Sequence, residues 1–247
     1  MISVKNLTYK IEDHEILSDI QANFQKNCLT AIVGPNGSGK STLLSFLSRD
    51  RQSRGAVFLE GRDIAVIDRK EYARMVAMLP QQREMMADFF VRDVVVMGRF
   101  PYKEKFHDYT AEDRRIAAVS MKQAGVSGMA DRKLSHLSGG EIQRVMIAKT
   151  LAQKAEIVLM DEPTNHLDVK YKIALMKTLR SYEGTVIMVL HDLSLAVEYC
   201  DNVILMKTGK IIRQGRSREV LEPSLLQEIF EVPFVRYERE GRTYLNY

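Results

Sequence analysis

The run GPNGSGKS, Gly34 to Ser41, fits the pattern G-x-x-x-x-G-K-[ST]. The apolar LTAIV (Leu29 to Val33) stands before it and the helical TLLSFLS after it, so the spacing predicts a strand, a glycine loop and a helix. Each residue type has a chemical reason. Glycines let successive backbone N–H groups converge on phosphate oxygens, and a helix N-terminus adds partial positive charge. On this reading Gly34, Pro35, Asn36, Gly37, Ser38 and Gly39 form a cradle, and Lys40 reaches the β- and γ-phosphates. The Ser41 hydroxyl, supported by Thr42, would ligate Mg²⁺. The loop is expected to bind a nucleoside triphosphate.

Further along, IVLMDEP (Ile157 to Pro163) places Asp161 and Glu162 after four apolar residues, at the carboxyl end of an expected buried strand, where ligands of open parallel sheets bind. Asp161 would hold the metal through water, and Glu162 would polarise a water for attack on the γ-phosphate. The same two carboxylates fit a solvated loop, and the triphosphate loop tips the reading to catalysis. A third apolar strand, VIMVL, ends at His191. A lone histidine is more often structural, but here it is placed to contact the γ-phosphate or the attacking water. Asp192 and Ser194 are candidate caps for the helix that follows.

LSGGEIQR poses a different problem. Ser138 is a good N-cap and Glu141 sits three residues on, as in a capping box. Glycine is costly inside a helix, yet Gly139 and Gly140 occupy the first turn. A Ser-Gly-Gly at a helix start lets an anion approach the backbone closely. The chain thus carries a second phosphate-type site beside a better one.

These residues need elements to position them. ISVKNLTYKI and EILSDIQANF alternate like half-exposed antiparallel strands, and GAVFLEG reads as another strand. From about Asp63 to Leu151 helical periodicity dominates, with little strand signal after VAMLP, which suggests an inserted helical lobe. Unalternated strands and helices then follow one another, the pattern of a sheet covered on both faces. NVILMKTGKIIRQG reads as a hairpin turned at Thr208-Gly209, and the tail SLLQEIFEVPFVRYEREGRTYLNY as a short helix and an extended segment. Hydrophobic residues at 45% and charged residues at 28% of 247 are ordinary for a soluble globular chain. With 36 Lys and Arg dispersed among 32 acidic residues, no clustered basic face is expected, which argues against a nucleic-acid partner. No apolar run is long enough to span a bilayer, and the N-terminus reads as a strand rather than a leader. Cys28 and Cys200 are isolated in apolar contexts and are expected to be buried structural thiols in a reducing cytoplasm.

In order, GPNGSGKST, LSGGEIQR, VLMDEPTNHLD and VLHDLS resemble the ATP-binding subunit of an ABC transporter, over essentially the whole chain. The resemblance implies a P-loop NTPase (RecA-like) α/β core with an antiparallel β subdomain and an inserted α-helical subdomain. It implies one domain over 1–247, with 1–84 and 152–247 as catalytic core and about 85–151 as helical subdomain. It also explains the second site, because in that family two subunits pack head to tail. Ser138, Gly139 and Gly140 of one copy would close over ATP held by the other. Tyr9 looks like the residue that stacks on adenine, with a plain strand tyrosine as the alternative. Gln81 resembles the glutamine that reaches the metal and the attacking water, and Gln82 is the neighbouring candidate. Asn165 to Asp168 match the loop along the dimer interface, with Asp168 its key carboxylate and His166 a packing residue. Ile142 and Lys149 depart from the common pattern on the helix, which bears on lobe packing rather than on ATP use.

A single bare unit implies separate membrane permease subunits, hence a bacterial importer, peripheral on the cytoplasmic face of the membrane and served indirectly by a solute-binding protein. FFVRDVVVMGRFPYKEKF, together with NHLD, FLSRD and LLQEIFEVPF, resembles the subunits serving iron(III)-siderophore, haem and vitamin B12 permeases, and inclines toward ferric siderophores. A haem or B12 importer, or a non-transport ABC ATPase, is the alternative. Most apolar residues of that stretch are expected in the core, while Met85, Met86, Phe89 and Phe90 would receive a permease helix.

Overall fold

The computed structural model describes residues 1–81, 88–104, 106–240 and 242–246. The chain begins β1 (Ile2–Ile11), β2 (His14–Phe24), β3 (Leu29–Val33), α1 (Lys40–Leu47), β4 (Val57–Leu59) and β5 (Arg62–Asp63). It continues with α2 (Arg69–Met75), β6 (Val76–Leu79), α3 (Val91–Val96), α4 (Ala111–Gln123), α5 (Gly139–Ala152), β7 (Ile157–Asp161) and α6 (Val169–Arg180). Last come β8 (Thr185–Val189), α7 (Leu193–Tyr199), β9 (Asn202–Lys207), β10 (Lys210–Arg216), α8 (Ser217–Val220), α9 (Pro223–Phe230), β11 (Val235–Arg239) and β12 (Arg242–Asn246). Two compact units result, Met1–Ile67 with Leu179–Tyr247, and Asp68–Thr178. The architecture is the expected α/β one.

In the first unit, β2-β1-β4-β5 form an antiparallel sheet, and the exposed positions of β1 and β2 answer to their alternating sequence. Strand β3 pairs in parallel with β8 and β9, and β10 turns back antiparallel on β9. All five residues of β3 and of β8 are buried, as unalternated apolar runs require when both faces are covered. The start of β3 is pinned by Asp201, whose carboxylate accepts the Leu29 N–H at 2.8 Å. The tail does more than extend: β11 and β12 pair as an antiparallel hairpin. Ser194, expected as a helix cap, instead donates its hydroxyl to the Leu245 carbonyl at 2.6 Å and so ties that hairpin to α7. The cap of α7 is Asp192, which accepts the Leu195 N–H at 3.0 Å. Cys200 is buried, and burial pushes its thiol up. Cys28 departs from expectation. It lies in the turn ahead of β3, is only half-buried, and its thiol faces the Gln25 side-chain carbonyl at 3.7 Å.

In the second unit β6 and β7 pair in parallel from Val76 and Ile157 to Leu79 and Met160. Val91, Val94 and Val95 of α3 pack with Ala117 and Met121 of α4 and Val145 and Ala148 of α5, so FFVRDVVVM is chiefly core, as its composition predicts. The GRFPY segment (98–102) lies in a 3₁₀ turn running directly from α3. Its glycine has a packing reason: a Cβ on Gly98 would stand 2.1 Å from the Lys149 carbonyl oxygen of α5. Gly98→Ala should therefore force the turn and α5 apart and lower stability by about 1–3 kcal/mol, seen as a reduced denaturation midpoint. Unfolding together with the parent would contradict that approach.

Candidate nucleotide site

The glycine loop is built from the end of β3 into the start of α1. Gly39 precedes the helix in the left-handed region, at φ 94°, and a Cβ there would meet Leu17 Cδ2 at 2.7 Å and the Ile16 carbonyl at 2.9 Å. Only glycine combines that conformation with that contact. No side chain caps the start of α1. Lys40 is only 6% exposed, and its Nζ donates to the carbonyls of Gly34 at 2.9 Å and Pro35 at 2.8 Å. The ammonium is folded back over the loop that it would share with a phosphate. The buried Ser38 hydroxyl has no hydrogen-bond partner. An uncapped helix start, a folded-back lysine and an orphaned hydroxyl fit a bound polyphosphate.

Tyr9 lies half-buried on β1, edge-on to Phe46 at 5.2 Å. The Arg51 guanidinium lies 4.9 Å from its ring centre and donates to its hydroxyl. His191 follows β8 at the surface, one residue after Leu190, whose N–H is held by the Ile32 carbonyl at 3.1 Å. This fixes the histidine at the end of the strand beside β3.

In the second unit Asp161 ends β7 and is buried, and Glu162 follows with a positive φ of 49°. A non-glycine residue in that region is strained, and such strain clusters at functional positions. Gln81 Nε2 donates to Glu162 Oε2 at 3.5 Å, and the Asn165 amide donates to the same oxygen. The structure thus brings Gln81 and Glu162 together. Asn165, which sequence reasoning read only as part of an interface loop, joins them as a side chain orienting the carboxylate. Its spacing of three residues across a turn was the available signal. Gln82 lies outside the described residues, as do Met85 and Met86. Phe89 is exposed and Phe90 half-buried. Asp168 is exposed and accepts the Tyr171 N–H at 3.1 Å, an N-cap contact for α6.

The capping box at α5 forms as predicted. The Ser138 backbone N–H and hydroxyl both donate to Glu141 Oε2, at 2.8 and 2.9 Å, and hold its carboxyl below the usual carboxylate range. The two glycines have different causes. A Cβ on Gly140 would meet the His166 carbonyl at 2.7 Å, whereas a Cβ on Gly139 would meet nothing within 4 Å. Gly140 is needed by the chain's own packing. Gly139 leaves open backbone at an exposed helix start.

A profile of the ABC transporter family matches residues 17–165, which contain the loop, the Ser-Gly-Gly and the paired carboxylates. The chain belongs to the ABC transporter family. This ABC ATPase binds and hydrolyses ATP, the chemistry that its glycine loop and oriented carboxylate suit. It is 36% identical to the iron(3+)-hydroxamate import ATP-binding protein FhuC of Bacillus subtilis, over 94% of this chain and 88% of that one. It is 33% identical to the petrobactin import ATP-binding protein YclP of the same organism, over 94% and 93%. Among solved structures it is similar to the dimeric, post-hydrolysis ATP-binding cassette MJ0796 bound to ADP and Pi, with a TM-score of 0.77 and 28% identity over 88% and 99% of the two chains. Among the described residues no helix is long and apolar enough to cross a membrane. For the ABC ATPase the two glycines should part company on substitution. Gly139→Ala should leave thermal stability unchanged or raise it by up to about 1 kcal/mol, since alanine favours helix. Gly140→Ala should lower it. Equal effects in a melting experiment would contradict the packing distinction.

Proposed function

We propose that this ABC ATPase powers uptake of iron(III)-siderophore chelates through a separate membrane permease. The observation that carries this reading is likeness along 94% of the chain to ATP-binding proteins of hydroxamate and petrobactin import. It would act as a homodimer, one domain per copy, peripheral on the cytoplasmic face of the membrane, with a solute-binding protein delivering cargo. The exposed Phe89 and its neighbours would receive a permease helix.

The geometry within each unit supports the following roles. In the first, Gly34 to Thr42 would hold the triphosphate, with Lys40 turning from the loop carbonyls to the β- and γ-oxygens. Tyr9 would stack on adenine, and His191 would hold the γ-phosphate. In the second unit Glu162 would take a proton from the attacking water, its carboxylate aimed by Gln81 and Asn165. The Ser41 hydroxyl in the first unit, and the Gln81 amide carbonyl and Asp161 carboxylate in the second, are oxygen donors of the kind that Mg²⁺ takes. Mg²⁺ would neutralise charge developing on the phosphate oxygens. Ser138, Gly139 and Gly140 would close on the γ-phosphate held by the other copy, with Asp168 along the same interface.

Lys40→Ala should abolish nucleotide binding, and Glu162→Gln should bind ATP while turning over at least about a hundredfold more slowly. Uptake of radiolabelled iron, supplied as ferric siderophores and as haem, compares cells carrying the parent with cells carrying Glu162→Gln. Selective loss of ferric siderophore uptake is the expected result. Loss of haem uptake instead, or no loss at all, would overturn the proposed cargo.

A further inference from the structure

Arg51 is exposed, yet its guanidinium is held against Tyr9. Its Nη1 donates to the Tyr9 hydroxyl, and its central carbon stands 4.9 Å from the ring centre. A guanidinium centred on a tyrosine ring comes closer, as that of Arg144 does at 3.8 Å from the centre of the Tyr171 ring. Arg51 is therefore displaced toward the hydroxyl rim, where it bonds the oxygen and faces the negative π cloud together. The guanidinium leaves the middle of the ring uncovered. Tyr9 is half-buried, so part of it still meets solvent.

The backbone places this pair beside the glycine loop. The β1–β2 ladder shifts register on both sides of Tyr9, from Leu7 opposite Ile20, to Tyr9 opposite Leu17, to Lys10 opposite Glu15. Such irregularities re-aim a side chain and are over-represented next to active sites. Residues directly opposite in a ladder have neighbouring side chains on one face. The partner of Tyr9 is Leu17, whose Cδ2 is the atom that a Cβ on Gly39 would meet at 2.7 Å. Tyr9 is thus one side chain removed from the loop. The helix that grows from the loop grips the ring as well. Phe46 of α1 meets Tyr9 edge-on at 5.2 Å, and the Arg51 N–H donates to the Ser45 carbonyl at 3.0 Å, which anchors the arginine to the last turn of α1. An exposed cation over a ring adds little stability. A ring held on two sides before its ligand arrives loses less freedom on binding, and that is a gain in affinity.

We propose that Arg51 is a positioning residue for the nucleotide base: by bonding the hydroxyl and resting on the rim of the ring, it fixes Tyr9 as a platform beside the glycine loop. The inference rests on the reading of Tyr9 as the residue that stacks on adenine. Its consequence is that loss of Arg51 weakens binding of a nucleotide while sparing a polyphosphate that carries no base.

The test compares ADP with inorganic pyrophosphate, its counterpart without base or sugar, by competition calorimetry on the full chain with Mg²⁺ present. Neither probe asks for hydrolysis of a γ-phosphate. Arg51→Ala should weaken ADP about fivefold and leave pyrophosphate within about twofold of the parent. Tyr9→Phe keeps the ring and removes the hydroxyl acceptor, so it should weaken ADP by a smaller factor. The two changes together should cost less than the product of their separate effects, because both break the same bond. An equal loss for ADP and pyrophosphate would show that the Arg51 charge acts on the phosphates, and the proposal would fail. Effects of the two substitutions that simply multiply would overturn it too. Tyr9→Ala separates the proposal from the reading beneath it. Parental ADP affinity in that variant would remove the adenine platform and the proposal with it, whereas a loss there with none in Arg51→Ala would overturn the proposal alone.

Discussion

The uncapped start of α1 is the constraint on which the rest of the structure depends. Gly39 is left-handed against Leu17, and no side chain caps the helix that it starts. A helix start of that kind suits an anion, through its dipole and through backbone that an anion can approach closely. The buried strand β3 holds the loop in place from one side, through the Asp201 clasp at Leu29, and α1 packs the other side into the core with Leu43, Leu44 and Leu47. Lys40 adds a charge that is already desolvated and aimed across the loop. On the proposed reading Lys40 turns from those two carbonyls when a triphosphate arrives, while the buried strand and helix keep the loop in place.

The second unit solves a different problem. Its proposed chemistry lies at the end of β7, where Glu162, at a positive φ, takes two amide donors on one carboxylate oxygen. Its exposed Ser-Gly-Gly lies at the start of α5, closed on itself by the capping box. The contacts of Gly140 and Gln143 with the turn after Glu162 bind these two features into one body. A helix start that satisfies itself through Glu141 is a modest anion site alone, which agrees with its proposed role as the closing jaw over ATP held elsewhere.

Much of this was legible in the sequence, because the strand, loop and helix around Gly34 to Ser41 and the apolar runs ending at Asp161 and His191 are local patterns. The capping box at Ser138 was legible for the same reason. What escaped depends on which residues meet across long stretches of chain. Nothing near Arg99 signals that its partners are Asp113 and the carbonyls of Ala152 and Gln153. Ser194 reads as a helix cap until Leu245 is seen beside it. The pairing of β11 with β12 hides in a tail whose strand residues are mostly exposed and carry no alternation strong enough to announce it. Gly139 and Gly140 look alike in sequence, and only the His166 carbonyl separates them.

On the proposed reading, ATP held by the loop of one copy is closed by the Ser-Gly-Gly of another. Sedimentation velocity of the Glu162→Gln chain with Mg²⁺ and ATP, and separately with ADP, tests it most directly. The account predicts a dimer with ATP and a monomer with ADP, with the ATP-dependent dimer lost when Gly139 is replaced by a bulky residue. A chain that stays monomeric with both nucleotides, or that is dimeric regardless of nucleotide, would contradict it.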